Sequence, residues 1–311
     1  MHDVRDEGEK LMLARRSLGE LPRSLFVPTL QTVDLGQNRL RWQQVGWVLG
    51  ACPALLYLNV SYNRFDSADQ GDVAMDRAHG LLELRADGCD LVTVPRFAAS
   101  MPSLRTLSLA HNKSLTHLDL SLVQQVYPQV HHLTAVYCGI DQVTCSGDSL
   151  SGPPSLINVE LRGNPLTSLA PSTWRALRLV RRISLGESQL TAIPDTWGHL
   201  LHLEGFFCPE ARLARLPASA VLWGSMCRPG PSSTLDTVDV ARNPFGDDEA
   251  LARSANARTI NIDRLAHTRQ VHHLLQQRRR SIVRAALACL ATARTLVCSA
   301  DNDRTTPHGR G

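Results

Sequence analysis

The amino-acid sequence predicts an α/β repeat solenoid, in which short parallel strands stack coil upon coil. A phrase with apolar residues at its first, fourth and sixth positions and a small polar residue at its ninth returns about ten times, at spacings of 22 to 32 residues. The clearest copies begin at Leu30, Leu55, Leu104, Leu156 and Leu235. A fixed period of this length predicts a repeat fold, because each unit leaves an apolar face that only a neighbouring unit can cover.

The ninth position of the phrase predicts a ladder of buried polar side chains. The clear copies have asparagine there, at Asn38, Asn63, Asn112, Asn164 and Asn243. An asparagine side chain has two N–H donors and an acceptor oxygen, so it can bond the backbone where the chain turns out of the strand. The weaker copies, which begin at Leu81, Val130, Val180 and Leu203, have Cys89, Cys138, Ser188 and Ala211 at this position.

The segments between the strands contain a second signal. An apolar residue is followed by proline at Leu21-Pro22, Val94-Pro95, Ile193-Pro194 and Leu216-Pro217. Because proline disrupts the interior of a helix, these coils are predicted to return through extended chain or short turns. A half-copy of the phrase over residues 11–22 and a degenerate strand over residues 257–262 mark the two ends of the array.

With strand, ladder and Leu-Pro signals combined, residues 8–264 resemble the leucine-rich repeat family, especially its intracellular members with Leu-Pro coils of about 23 residues. The resemblance implies a right-handed horseshoe with a parallel sheet on its concave side and a helix capping its C-terminal end. The predicted division is an N-terminal cap and first partial repeat over 1–29, a repeat domain over 30–264, a basic amphipathic capping helix over 265–300, and a disordered tail over 301–311.

Positive charge is concentrated near the C-terminus. Residues 264–300 contain seven arginines and no lysine or acidic residue, although the whole chain has a net charge of only +4. Apolar residues recur there at helical spacing, which predicts an amphipathic helix. A cap over the open end of the solenoid is the favoured interpretation. The alternative is a helix that binds an anionic membrane or a nucleic acid through Arg278, Arg279, Arg280 and Arg284.

The composition favours a cytoplasmic protein, with the nucleus also open. The N-terminus lacks the apolar segment of a secretory signal, and the longest uncharged apolar run, residues 285–293, is too short to span a bilayer. Eight cysteines occur without a C-x-x-C pair, and the flanking cysteine pairs of secreted repeat proteins are lacking. Reduced, buried thiols in a reducing compartment are therefore expected.

Catalytic chemistry is not expected. Ser149 lies in a Gly-Asp-Ser-Leu sequence that matches the nucleophile motif of a lipase family, but the downstream Asp-x-x-His of that family is absent, so a serine hydrolase remains a minor alternative. Phosphate-binding, dinucleotide-binding and zinc-protease motifs are also absent. We predict no catalytic, cofactor-binding or metal-ligating residues and no small-molecule substrate.

The variable positions of the phrase predict a protein-binding surface. They face the concave side because the leucines face inward, and three of the four tyrosines occupy them. Tyrosine is enriched where protein partners bind. We predict a non-enzymatic, monomeric scaffold that binds a protein partner through Tyr57, Tyr62, Arg85, His111, His132, Tyr137, Arg182 and Phe207.

Overall fold

The structure is a computed structural model. It describes residues 5–6, 9–65, 80–95, 101–145, 154–214, 216–217, 219–220, 223, 235–244 and 257–261, with the backbone alone at 5–6, 235–236 and 257–261. The predicted C-terminal helix with its four arginines, the tail and Ser149 all lie outside these residues.

One long sheet contains a strand from every coil. Its strands are β1 (Arg5–Asp6), β2 (Lys10–Met12), β3 (Thr32–Asp34), β4 (Tyr57–Asn59), β5 (Glu83–Arg85), β6 (Thr106–Ser108), β8 (His132–Thr134), β10 (Asn158–Glu160), β12 (Arg182–Ser184), β13 (Gly205–Phe207), β14 (Leu235–Asp239) and β15 (Ala257–Asn261). The first two strands form an antiparallel hairpin, and every later pair of neighbours is parallel. Strand order in this sheet follows chain order, as successive stacked coils require, and the predicted solenoid is confirmed.

The middle residue of each strand points into the core. These residues are at most 1% exposed and comprise Leu11, Val33, Leu58, Leu84, Leu107, Leu133, Val159, Ile183 and Phe206, and in the five-residue β14 the fourth residue, Val238, is buried in the same way. They lie opposite one another in the parallel register, so the repeat phrase and the strand pairing agree coil by coil. Full burial of one such side chain contributes about 1.5 to 3 kcal/mol.

The predicted asparagine ladder is present. Asn164 Nδ2 donates to the carbonyl oxygen of Leu161 in its own coil and to that of Ala135 in the preceding coil, each at 2.7 Å. Its Oδ1 accepts from the Ile140 amide at 3.2 Å. Asn38, Asn63, Asn112 and Asn243 repeat this pattern.

Cysteine substitutes for asparagine only in part. The thiols of Cys89 and Cys138 donate to carbonyl oxygens of the preceding coil, at 3.3 Å and 3.1 Å. Ser188 Oγ is buried without a hydrogen-bond partner, and Ala211 has no polar side-chain atom that could bond to a neighbouring coil. Among the described residues, the ladder therefore weakens over two consecutive coils before Asn243 restores it.

The return segments differ with their sequence. Pro22 and Pro194 each immediately precede a short 3-10 helix, at Arg23–Leu25 and Asp195–His199, as predicted. Other coils contain the α-helices α1 (Trp42–Ala51), α2 (Leu120–Val126) and α3 (Trp174–Leu177), and a 3-10 helix at Pro171–Thr173. Three coils add a small parallel sheet of β7 (His117–Asp119), β9 (Gln142–Thr144) and β11 (Ser168–Leu169). Within the described ranges, no helix has the length and apolar content to cross a membrane.

Candidate functional site

The outward-pointing residues of the long sheet form the surface that we call the strand face. Each three-residue strand contributes its first and third residues, and these line up in two columns. Tyr57, His132 and Arg182 share the first column, whereas Arg85 and Phe207 share the second. At about 4.8 Å per coil, Tyr57 and His132 are roughly 14 Å apart along the column.

The remaining predicted residues lie on a neighbouring row, not within the strands. We call this row the turn row; it comprises Gln37, Tyr62, Gly88, His111, Tyr137, Gly163, Glu187, Glu210 and Arg242, each directly before a ladder position. All nine have φ between 53° and 72°, the left-handed region. That conformation ends the extended strand, so Tyr62, His111 and Tyr137 lie at the edge of the strand face, in the slot just before the ladder residue.

The turn row is held in this conformation by a second ladder, made of backbone bonds. From Gln37 to Glu210, the amide of each row residue donates to the carbonyl that precedes the row in the next coil, for example Tyr62 to Asp87 at 2.6 Å and Tyr137 to Arg162 at 2.9 Å. A left-handed conformation costs a residue with a Cβ about 1 to 2 kcal/mol. The repeated bonds to neighbouring coils offset this cost.

Aromatic rings fill the space that glycine leaves on this surface. A Cβ atom added to Gly88 would lie 2.6 Å from the Tyr62 ring, and one added to Gly163 would overlap the Tyr137 ring. A Cβ atom on Gly205 would lie 2.7 Å from the Phe207 ring. Each ring therefore rests on a glycine, which limits its motion.

His111, Tyr137 and Glu187 form one connected group. The rings of His111 and Tyr137 stack with a centroid distance of 5.6 Å and an interplanar angle of 10°. The Tyr137 hydroxyl donates to Glu187 Oε1 at 3.5 Å, and Arg162 Nε donates to the same oxygen at 2.8 Å. The hydrogen bond from Arg162 lowers the pKa of Glu187, so this carboxylate stays ionised.

Tyr57 and Arg85 form a second group. The Arg85 guanidinium lies 5.6 Å from the centroid of the Tyr57 ring, a cation–π arrangement, and its Nε pairs with Glu83 at 2.6 Å. Partial burial raises the pKa of the Tyr57 hydroxyl, which stays protonated and able to donate a hydrogen bond. These contacts fix both side chains on the surface.

Two other predicted residues of the first column, Arg182 and His132, lie close to residues that the sequence did not place beside them. A Cβ atom added to Gly205 would lie 3.5 Å from Arg182 Cγ as well as close to the Phe207 ring. The side chains of Arg182 and Phe207 therefore lie over the same glycine. His132 Nδ1 lies 3.0 Å from the side-chain nitrogen of Asn158. Six of the eight predicted residues thus come together as three pairs, whereas His132 and Tyr62 lie against Asn158 and Gly88.

Two residues of this surface were not predicted. Leu56 and Leu82 are 40% and 37% exposed on adjacent coils, immediately before Tyr57 and Glu83. The sequence feature that could have identified them is their position: both leucines occupy the second place of the phrase, where coils such as those of Gln31 and Arg105 have a polar residue. Their exposure extends the apolar surface beside Tyr57.

A polar groove of about 550 Å³ lies next to the turn row, lined by Asn164, Ser188 and Ala211 among others. It lies where the ladder side chains become smaller. Within the described residues, no group of three or more His, Cys, Asp or Glu side chains could hold a metal ion.

The described cysteines, at positions 52, 89, 138, 145 and 208, are all buried and form no disulfide. Burial raises the pKa of Cys89 and Cys208 to about 12 and that of Cys52 and Cys138 to about 11, and it also raises the pKa of Cys145. The reactive form of cysteine is the thiolate, so these thiols are poor nucleophiles.

Comparisons with known proteins agree with the repeat architecture. No family model matches the chain. Human Podocan-like protein 1, a leucine-rich repeat protein, is 28% identical over 218 residues, which cover 63% of this chain and 42% of the human protein. The chain thus spans less than half the length of this relative.

Two solved structures are also similar. A structure of the Toll–Spätzle complex from Drosophila is 18% identical with a TM-score of 0.58, over 82% of this chain and 37% of that one. An internalin from Listeria monocytogenes is 12% identical with a TM-score of 0.43, over 83% of each chain. The likeness to the Drosophila structure, together with one strand per coil and the asparagine ladder, identifies the fold as a leucine-rich repeat solenoid.

Proposed function

We propose that the chain is a non-enzymatic scaffold that binds a protein partner across its strand face and turn row. The observation that carries this proposal is the placement of aromatic residues on the surface. Tyr57, Tyr62, Tyr137 and Phe207 line the strand face and turn row, and Tyr62 is 48% exposed. Aromatic side chains are enriched among the residues that contribute most to protein binding.

The way in which these side chains are held supports the same proposal. Tyr62 and Tyr137 rest on glycines, His111 stacks on Tyr137, and Arg85 lies over Tyr57. A side chain that is already ordered loses less conformational entropy when a partner binds. The surface is therefore preorganised for contact.

The charges favour a protein over a nucleic acid. Arginines on and beside this surface pair with carboxylates, as in Arg85–Glu83, Arg162–Glu187 and Arg181–Glu204. A nucleic-acid surface would be uniformly basic, because phosphate contacts dominate that kind of binding.

The proposal is tested with the double variant Tyr62→Ala/Tyr137→Ala, used as bait in affinity capture from the native cell. We expect it to fold like the wild type and to lose the partner that the wild type recovers. The matched control is Gln125→Ala, an exposed position on α2 away from the strand face, which should retain the partner. Equal recovery by the wild type and the double variant would overturn the assignment of the binding surface.

We further propose that the protein is a monomer of the intracellular Leu-Pro type and works in the cytoplasm or nucleus. The buried free thiols and the 3-10 helices after Pro22 and Pro194 support this assignment. Asn59, within an Asn-Val-Ser sequence on the strand face, provides the test. Protein isolated from its native cell should show no mass shift on glycosidase treatment, and a glycan on Asn59 would contradict the proposal.

A further inference from the structure

We propose that a cluster of arginines at the N-terminal end of the turn row binds a short acidic segment of the protein partner. This inference rests on the proposed function and names the chemistry that the partner presents at one end of the surface. We call the cluster the arginine patch; it comprises Arg15, Arg16, Arg39, Arg41 and Arg64, all of which are exposed.

The first three arginines of the patch lie side by side on the first two coils. Arg15 continues the turn row beyond Gln37, because it has the same left-handed backbone, with φ of 59°, and its Nε donates to Gln37 Oε1 at 3.0 Å. The amide of Arg16 donates to Oδ1 of the ladder residue Asn38 at 3.1 Å. Arg39 directly follows Asn38 in the chain, so it lies next to Arg16.

The other two arginines extend the patch. Arg41 directly precedes α1, whose first turn contains no acidic residue. Arg64 directly follows the ladder residue Asn63, so it occupies in the third coil the position that Arg39 has in the second. Neighbouring coils are about 4.8 Å apart, so the three coils of the patch span roughly 10 Å along the solenoid.

Positive charge in the patch is mostly without a counter-charge. Arg64 pairs with Asp90 at 3.1 Å, although the two side chains are 87% and 50% exposed. Within the part of the chain that the structure describes, no ion pair joins the other four arginines to a carboxylate. Glu20, an exposed acid on the same loop as Arg16, forms no ion pair either. Since like charges at this separation repel one another, an anion bound among them would be stabilised.

The extent of the patch favours a short run of carboxylates over a long polyanion. An extended peptide advances about 3.3 Å per residue, so roughly three residues cover the patch. On the next coil, Glu83, Asp87 and Asp90 follow, and a nucleic acid that continued along the solenoid would meet these carboxylates. A guanidinium group can bind a carboxylate through two parallel hydrogen bonds, which makes arginine well suited to this kind of partner.

The arginine patch is continuous with the proposed binding surface. Only Gln37 separates Arg15 from Tyr62 in the row, so the two residues lie roughly 10 Å apart along it. A partner that contacts Tyr62 therefore reaches the arginines from the same side. Complementary charges at the rim of an interface mainly accelerate association, so we expect the association rate to fall with added salt.

The first experiment measures binding of a fluorescent peptide with four consecutive glutamates to the full chain by anisotropy. The variant Arg16→Ala/Arg39→Ala should bind this peptide about two- to thirtyfold more weakly, the range expected for the loss of two exposed ion pairs. Its backbone amides are retained, so its urea midpoint should match that of the wild type. The matched control Arg178→Ala/Arg212→Ala removes two exposed arginines outside the patch and should bind like the wild type.

Three results of this experiment would overturn the inference. The first is equal binding by the wild type and Arg16→Ala/Arg39→Ala. The second is equally tight binding of the same peptide with glutamine in place of glutamate. The third is a twelve-nucleotide oligothymidine that binds more tightly than the peptide and depends on the same arginines, because the occupant would then be a nucleic acid.

A displayed library of random dodecapeptides, selected on the wild type, separates this inference from the proposed function. Enrichment of acidic peptides that bind neither Arg16→Ala/Arg39→Ala nor Tyr62→Ala/Tyr137→Ala supports both. Enrichment of uncharged peptides that depend on the two tyrosines alone overturns the acidic assignment and leaves the binding surface intact. Enriched peptides that bind the wild type and both double variants equally overturn both.

Discussion

Replacing Gly163 by alanine would place a methyl group where the Tyr137 ring now lies. The backbone of Gly163 has φ +72°, a left-handed conformation that costs alanine about 1 to 2 kcal/mol. The methyl group would also displace the ring from its stack on His111, which is worth about 0.5 to 1.5 kcal/mol. We therefore expect Gly163→Ala to lower the free energy of unfolding by about 1.5 to 3.5 kcal/mol.

A double-mutant cycle separates the two contributions. In the Tyr137→Ala background the ring is gone, so Gly163→Ala should cost only the backbone strain, about 1 kcal/mol less than in the wild type. The assay is urea denaturation followed by circular dichroism. The pair Tyr62 and Gly88 shares the contact of ring on glycine but not the stack on His111, so its coupling should be smaller.

Gly50 provides the matched control. It is exposed near the end of α1, and a Cβ atom added there would contact nothing within 4 Å. Alanine at this helical position should raise stability by about 0.5 to 1 kcal/mol, the opposite sign. If Gly163→Ala costs the same with and without the Tyr137 ring, the packing of ring on glycine is refuted.

Three further predictions concern the core. Asn164→Leu should lower the free energy of unfolding by about 1 to 3 kcal/mol for each of the backbone groups that it orphans, and a melting curve matching the wild type would contradict the ladder. Conversely, Ala211→Asn introduces an asparagine at a ladder position beside the polar groove and should raise the free energy of unfolding by about 1 kcal/mol. A lower urea midpoint than that of the wild type would contradict the interpretation that the ladder is weakened at this position. Burial raises the pKa of Cys52, Cys89 and Cys208 from 9.0 to about 11 to 12, so the contribution of these thiols to stability is complete below pH 9 and falls as the pH rises toward 11 to 12. Each thiol that ionises in the unfolded chain lowers the free energy of unfolding by about 1.4 kcal/mol per pH unit in that window. Urea titrations at pH 8 and pH 10.5 would measure this loss, and the variant Cys89→Ser, which lacks one of the thiols, is the comparison.

Sequence spacing was sufficient to place the core and the strand face. The period of the phrase determines which residues face inward, so Leu58 and Tyr57 could be assigned to opposite sides of β4 without coordinates. Asn164 was recognisable in the ladder because its donors and acceptor match the needs of the turn. Cys89 and Cys138 were recognised as substitutes because they are small and weakly polar.

The geometry of the turn row could not be predicted, because left-handed backbone is usually signalled by glycine or asparagine. Tyr62, His111 and Tyr137 give no such signal, and their conformation is imposed by bonds to the next coil. Gly88 and Gly163 were the only hints in this part of the row. The antiparallel hairpin of β1 and β2 likewise has no counterpart in the repeat phrase, since its first strand has only two residues.

Site-specific photo-crosslinking tests the central claim most directly. A benzophenone amino acid is introduced in living cells at position 62 on the turn row or at position 125 on α2. The account predicts a covalent adduct with a partner protein from position 62 and none from position 125. An adduct that forms from position 125 while position 62 stays unlinked would contradict binding through the strand face and turn row.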